Sequence, residues 1–244
     1  MKTLAISALT LATALLTACG GGSSTTSSTT TVTQPPLAPP STAPANTSIQ
    51  GRSVTVDATS FAPTSSGTTA ATSNINTVVL NGKSIDIIPT GFTIGSRLDL
   101  NAGNMNRQVI NNLSNARWGF VREGDRSQPS YFVAQGNVTP VSQIPGSGTV
   151  TYTGSALHQA KGAALADGDA TLSVNFGNKT LTGNISAGTS TVALNANITG
   201  NSFAGTSSAG TTTNGYFYGS NAAEAAGTYI NSGAGYSGAF GVKK

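Results

Sequence analysis

Strict alternation of apolar and polar residues between positions 170 and 185 is the feature that most constrains the fold of this 244-residue chain. Leu172, Val174 and Phe176 share one side of an extended segment, while Thr, Ser and Asn residues share the other. A Gly177-Asn178 pair follows, and residues 179–185 repeat the alternation. Residues that tolerate positive φ between two alternating runs predict a β-hairpin with one apolar face.

The same pattern continues to the end of the chain. From Gly148 onward, short alternating segments are separated by Gly-rich turns at intervals of roughly ten residues. Antiparallel strands with one apolar face close most economically into an up-and-down barrel, because closure leaves no unpaired edge. The eight strands predicted are residues 149–154, 170–176, 179–185, 191–198, 202–206, 215–218, 226–230 and 236–242.

Two details of this barrel are predicted by local pattern. Residues 220–227 combine a capping-type Ser220, a run of helix formers and a final Gly227, which predicts a short helix that plugs or crosses one end. Alternation places Phe217 inside the barrel and both Tyr216 and Tyr218 outside.

Residues 49–145 form a less regular region, which we predict to be a strand-rich N-terminal domain preceding the barrel domain of residues 146–244. Met105, Val109, Ile110 and Leu113 fall at i, i+4, i+5 and i+8, which predicts a helix over residues 105–113 with a core-facing stripe. Short strand-like runs occur at residues 54–58, 78–80, 85–88, 118–122 and 131–135. Because strands predominate in both domains, the fold class predicted for the chain is all-β.

The first 48 residues have the pattern of an export signal and a tether. Lys2 precedes an uncharged apolar run, residues 4–16, that is too short to cross a bilayer core. Leu16-Thr17-Ala18-Cys19-Gly20 then resembles the lipobox of bacterial lipoproteins, so we predict a signal peptide at residues 1–18 and lipidation of Cys19. Residues 19–48 are rich in Ser, Thr and Pro and are predicted to be a disordered tether.

Composition argues against several classes of function. The formal net charge is only +4 and the basic residues are dispersed, so no nucleic-acid surface is predicted. Cys19 is the only cysteine and His158 is the only histidine. These two residues cannot supply the three or four ligands that a zinc site usually has. A serine triad would need His158 with Asp167 or Asp169, and no serine lies in a nucleophile-elbow motif. We therefore predict that the chain is not an enzyme, requires no cofactor and holds no catalytic or metal site.

Two clusters remain as candidates for ligand contacts. His158 is predicted to lie in the first long loop of the barrel, either as an exposed loop residue or as a single axial ligand of bound haem. Arg122 and Arg126 belong to a mixed charge cluster, which is either a solvated turn or the rim of a protein interface with Trp118 and Tyr131 as hot-spot aromatics. The Asp167-Gly168-Asp169 triplet favours a β-turn over a calcium loop.

Several stretches also resemble a known family. Residues 174–183 (VNFGNKTLTG), 215–227 (GYFYGSNAAEAAG) and 238–244 (GAFGVKK) are similar to the β-barrel domains of transferrin-binding protein B and its relatives. Residues 116–121 (ARWGFV) and 136–141 (GNVTPV) resemble the smaller hemophilin-type members, in which an irregular N-terminal domain precedes one barrel. The resemblance implies that residues 49–145 are the ligand-binding (handle) domain.

The resemblance implies a lipid-anchored protein of the outer membrane, exposed at the cell surface by a surface lipoprotein assembly modulator. Family members bind transferrin, haem, haemoglobin or complement factor H, so a host ligand used in haem or iron acquisition is expected. A host-protein-binding module for immune evasion or adhesion, and a structural lipoprotein without a dedicated ligand, are the alternatives. Haem-binding members place the haem ligand in the N-terminal domain, and residues 49–145 contain no histidine.

Overall fold

The computed structural model describes residues 49–125 and 127–244. The predicted signal peptide, Cys19, the tether and Arg126 lie outside the described residues. No helix in the described ranges is long and apolar enough to span a membrane. The helical elements of these ranges are the 3-10 turns Val141–Gln143 and Ser220–Ala222, so the described structure is all-β, as predicted.

The N-terminal half forms an antiparallel sheet of six strands and a separate hairpin. The strands are β1 Ile49–Val56, β2 Pro63–Thr68, β3 Thr77–Leu80, β4 Lys83–Asp86, β5 Arg97–Ala102, β6 Met105–Ile110, β7 Ala116–Glu123 and β8 Ser130–Asn137. The sheet order is β2-β1-β8-β7-β6-β5, and β3 pairs with β4. All five predicted strand runs overlap observed strands, namely β1, β3, β4, β7 and β8.

The helix predicted over residues 105–113 is wrong, because this segment forms β6 and pairs with β5 and β7. Met105 and Val109 are four residues apart, a spacing that also places two side chains on one face of a strand. Arg107 lies between them on that face and is fully buried. Its guanidinium donates to the carbonyl oxygens of Asp86 and Arg122 and to the Glu123 carboxylate, which satisfies the buried charge. Because Arg107 is polar but buried, the buried face of β6 does not appear in the sequence as an alternation of apolar and polar residues.

The C-terminal half is a closed barrel of eight antiparallel strands, as predicted. The strands are β9 Thr149–Ala160, β10 Ala166–Asn175, β11 Thr180–Ala187, β12 Ser190–Thr199, β13 Ser202–Thr206, β14 Thr212–Tyr218, β15 Glu224–Asn231 and β16 Tyr236–Lys243. Consecutive strands pair in order, and β16 pairs with β9 to close the barrel. Leu172, Val174, Leu181 and Phe217 belong to its buried interior.

Two connections in the barrel differ in detail from the prediction. The β10–β11 hairpin is confirmed, but its turn spans residues 176–179 and the positive φ of 56° belongs to Lys179. The helix predicted over residues 220–227 is wrong, because only a 3-10 turn forms before β15 begins at Glu224. The alanines after Glu224 extend the strand because both faces of β15 are buried, and small side chains suit that position.

The sheet packs on the outer wall of the barrel through a shared apolar core. Trp118 and Phe132 from the sheet are fully buried in one cluster with Ala226 and Ala239 of the barrel. Phe217 faces the barrel interior as predicted, and Tyr216 and Tyr218 face outward. Both tyrosines are buried, however, because the outward side of β14 lies under the sheet. All described residues accordingly fall within one compact unit.

Candidate functional site

A cleft of about 420 Å³ opens where the sheet meets the barrel. The loop after β1 and the loop after β9 approach each other at this point, and the Gly162 amide donates to the Ser60 carbonyl oxygen at 3.0 Å. We call this space the junction cleft. Its lining includes Phe61 from the β1–β2 loop, Asn106 from β6, Phe120 and Arg122 from β7, Gln159 from β9 and Leu165 from the β9–β10 loop.

Of the predicted ligand contacts that the structure describes, Arg122 lines the junction cleft. It is only 9% exposed, and its Nε is buried without a hydrogen-bond partner. In the described part of the chain, the arginines that form ion pairs are Arg97 and Arg107. Arg122 therefore carries a nearly buried charge that no carboxylate in the described ranges pairs with, although such burial is costly without a partner.

Gln159 and Asn106 add unpaired acceptors to the same lining. Gln159 is 4% exposed, and its Nε2 donates to the Ala163 carbonyl oxygen at 3.3 Å. The Oε1 of Gln159 and the Oδ1 of Asn106 are buried without a hydrogen-bond partner. The sequence pattern did not reveal Gln159, because β9 was predicted to end at residue 154. Extending the alternation to residue 160 would have placed Gln159 on the outer face of the barrel.

His158 lies in β9 and faces the barrel interior, so its predicted placement in a loop is wrong. It is 4% exposed within β9, and its Nδ1 lies 3.0 Å from the Tyr229 hydroxyl. The rings of His158 and Tyr229 are stacked with centroids 6.0 Å apart, and the tilted ring of Tyr236 lies 5.5 Å from the histidine ring. Burial lowers the pKa of His158 below its ordinary value of 6.5.

The buried histidine predicts an acid-sensitive fold. Unfolding exposes His158, so the unfolded state binds a proton below pH 6.5 that the folded state resists. The free energy of unfolding should therefore fall as the pH decreases below that value, by up to about 1.4 kcal/mol per pH unit. In urea titrations between pH 7 and 5, His158→Gln should flatten this decline. Because the chain has a single histidine, an unchanged slope in the variant would contradict the assignment.

The two predicted aromatic contacts, Trp118 and Tyr131, do not form a surface patch. Trp118 is fully buried, and its Nε1 donates to Asn112 Oδ1 at 2.8 Å. Tyr131 is 8% exposed and packs against the β3–β4 hairpin in a third apolar cluster. A hot spot made by direct contact of Trp118 or Tyr131 with a partner is therefore not available in this conformation.

The Asp167-Gly168-Asp169 triplet lies within β10 and is not the predicted β-turn. Asp167 instead forms an ion pair with Arg97 of β5 at 2.6 Å, which links the rim of the sheet to the barrel. No group of three or more His, Cys, Asp or Glu residues in the described ranges is arranged to hold a metal ion.

Comparison with known proteins bears directly on the barrel. The family described as the C-lobe and N-lobe β-barrels of transferrin-binding protein B matches residues 144–244. That range contains all eight strands of the closed barrel. The barrel of residues 144–244 is therefore similar to the β-barrels of transferrin-binding protein B.

Solved structures extend the likeness in fold from the barrel to the sheet. A transferrin-binding protein B variant from Haemophilus parasuis Hp5 superposes with a TM-score of 0.58 at 24% identity, over 80% of this chain and 44% of that one. The isotype 1 protein from serogroup B Neisseria meningitidis gives 0.59 at 19% identity, over 80% and 43%. The chain thus spans less than half the length of these two proteins.

A protein of similar size to this chain is also similar in fold. A crystal structure of a surface lipoprotein is matched over 98% of its length and 79% of this chain, with a TM-score of 0.51 at 21% identity. No curated protein matches the chain in sequence. The likeness to solved structures defines the fold of the sheet and barrel together.

Proposed function

We propose that this chain is a lipid-anchored protein of the bacterial outer membrane that binds a host protein at the cell surface for iron acquisition. The observation that carries the proposal is the joint likeness of sheet and barrel to transferrin-binding protein B, over 80% of this chain. Transferrin is accordingly the first host protein to test.

Display at the surface rests on the predicted lipidation of Cys19, the tether of residues 19–48 and export by a surface lipoprotein assembly modulator. Protease treatment of intact cells tests this part. We expect the sheet and barrel to be lost from intact cells and a periplasmic control protein to survive. Survival of the barrel until the outer membrane is opened would place it on the inner side and remove the proposal.

Capture from serum tests the ligand. The immobilised lipoprotein, solubilised in detergent, should retain transferrin from host serum, while an unrelated lipoprotein on the same support should not. Retention of a complement regulator without transferrin would favour the immune-evasion alternative. Retention of neither, by a protein whose circular dichroism shows intact β-structure, would favour a structural role.

Haem is the other ligand predicted for this chain, and His158 does not fit the role of its axial ligand. The ring lies inside the barrel and its Nδ1 contacts the Tyr229 hydroxyl. We therefore expect His158→Ala to leave the Soret absorbance of a hemin titration unchanged. Loss of a Soret band that the parent protein shows would reinstate the histidine as a haem ligand, and circular dichroism of the variant separates that result from unfolding.

A further inference from the structure

We propose that the junction cleft is a carboxylate-binding subsite. Arg122 pairs with the anionic group, and the amide oxygens of Gln159 and Asn106 accept from N–H or O–H donors on the same ligand. This inference goes beyond the proposed function, because it depends on the residues of the cleft and holds whichever host protein is bound.

The positive charge of Arg122 requires a negatively charged group on the ligand. The carboxylate of Asp125 accepts from the amide and hydroxyl of Ser127, and these bonds lower its pKa, with Arg122 making a smaller contribution. Asp125 is exposed and occupied by its own turn, so it leaves the buried Nε of Arg122 without a partner. A carboxylate can accept from two guanidinium nitrogens at once, which suits this position.

The two amides determine what else the ligand carries. The bond from Gln159 Nε2 to Ala163 orients the amide, so its Oε1 is the unpaired atom. With Asn106 Oδ1, the lining offers two acceptors beside one cation. A simple anion satisfies only the cation, whereas a peptide segment with an acidic side chain brings N–H donors as well.

The apolar walls and the size of the cleft agree with such a ligand. Phe61, Phe120 and Leu165 contribute hydrocarbon surface around the polar groups. A volume of about 420 Å³ accommodates a few peptide groups. Partial exclusion of water at these walls strengthens an ion pair with Arg122.

Three probes separate the parts of the proposal. Isothermal titration of the full-length lipoprotein would use acetate, a blocked tripeptide with a central aspartate, and the same tripeptide with asparagine. We expect the aspartyl peptide to bind more tightly than acetate, because only the peptide carries donors for Gln159 and Asn106. Equal affinities for acetate and the aspartyl peptide would overturn the role of the amides, and equal affinities for the two peptides would overturn the role of the charge.

Variants assign the binding to the cleft. Arg122→Gln should weaken the binding of the aspartyl peptide by about ten-fold or more, while Arg122→Lys should retain part of the affinity. Gln159→Glu should also weaken it, because the new carboxylate repels or displaces that of the ligand. Lys83→Gln removes one positive charge from an exposed strand residue outside the cleft and should leave the affinity unchanged.

Thermal unfolding of each variant shows whether a loss of affinity comes from a lost ligand contact or from a destabilised fold. Arg122→Gln removes a buried charge that lacks an ion-pair partner, so the variant should melt no lower than the parent protein. Parental affinity of a folded Arg122→Gln variant would overturn the proposal. If Arg122→Gln unfolds, the folded Gln159→Glu variant decides by the same criterion.

Discussion

Gly241→Ala should strongly destabilise the protein, although the substitution adds a single carbon atom. Gly241 lies on the outward side of β16, and a Cβ atom at this position would lie 2.0 Å from Trp118 Nε1 and 2.4 Å from Trp118 Cδ1. The indole cannot withdraw freely, because Asn112 accepts from its Nε1 and donates to the Gly241 carbonyl oxygen. The added methyl group therefore forces the sheet away from the barrel.

We expect a loss of about 3 kcal/mol in the free energy of unfolding, or about 6–12 °C in Tm, which is the upper range for overpacking a core. The emission of Trp118, the only tryptophan, should shift to the red as the sheet separates from the barrel. Gly67→Ala is the matched control, because a Cβ atom there meets nothing within 4 Å. A Gly241→Ala protein that melts and fluoresces like the Gly67→Ala control would show that the indole does not depend on this glycine.

Glu224→Gln should produce the second large effect. The Glu224 carboxylate is 6% exposed and accepts from the Ser114 amide at 2.7 Å and the Asn115 amide at 2.9 Å. The side-chain amide of Asn115 donates to it at 3.2 Å. A carboxylate at the start of β15 thus holds the loop between β6 and β7 against the barrel.

A glutamine at this position keeps the shape but turns one acceptor into a donor that faces another donor. We expect a loss of about 2–3 kcal/mol, since a charge-assisted bond is removed and a buried amide is left unpaired. Hydrogen exchange should accelerate first at the Ser114 and Asn115 amides. Asp169→Asn makes the same chemical change at an exposed strand position and should have little effect on stability. Equal losses in the two variants would contradict a specific role for Glu224.

The contrast between β6 and the barrel strands shows where pattern reasoning succeeds. Leu172, Val174 and Phe176 alternate with polar residues that face solvent, so the period of two is visible in the sequence itself. In β6 the polar Arg107 is buried among carbonyl oxygens and a carboxylate from distant positions. An alternation of polarity no longer reports burial when a charged residue belongs to the core.

The barrel, its eight strands and their order were determined by the sequence alone, because alternation and turn residues are local properties. Residues 174–183, 215–227 and 238–244 also carried enough of the family pattern to predict a barrel like that of transferrin-binding protein B, which the match to residues 144–244 confirms. Only the tertiary structure decided that the outward face of β14 is buried. It alone joined Arg122 and Gln159 in one cleft. These features depend on how the sheet docks on the barrel, and contacts between residues far apart in the chain leave no period for a local pattern to reveal.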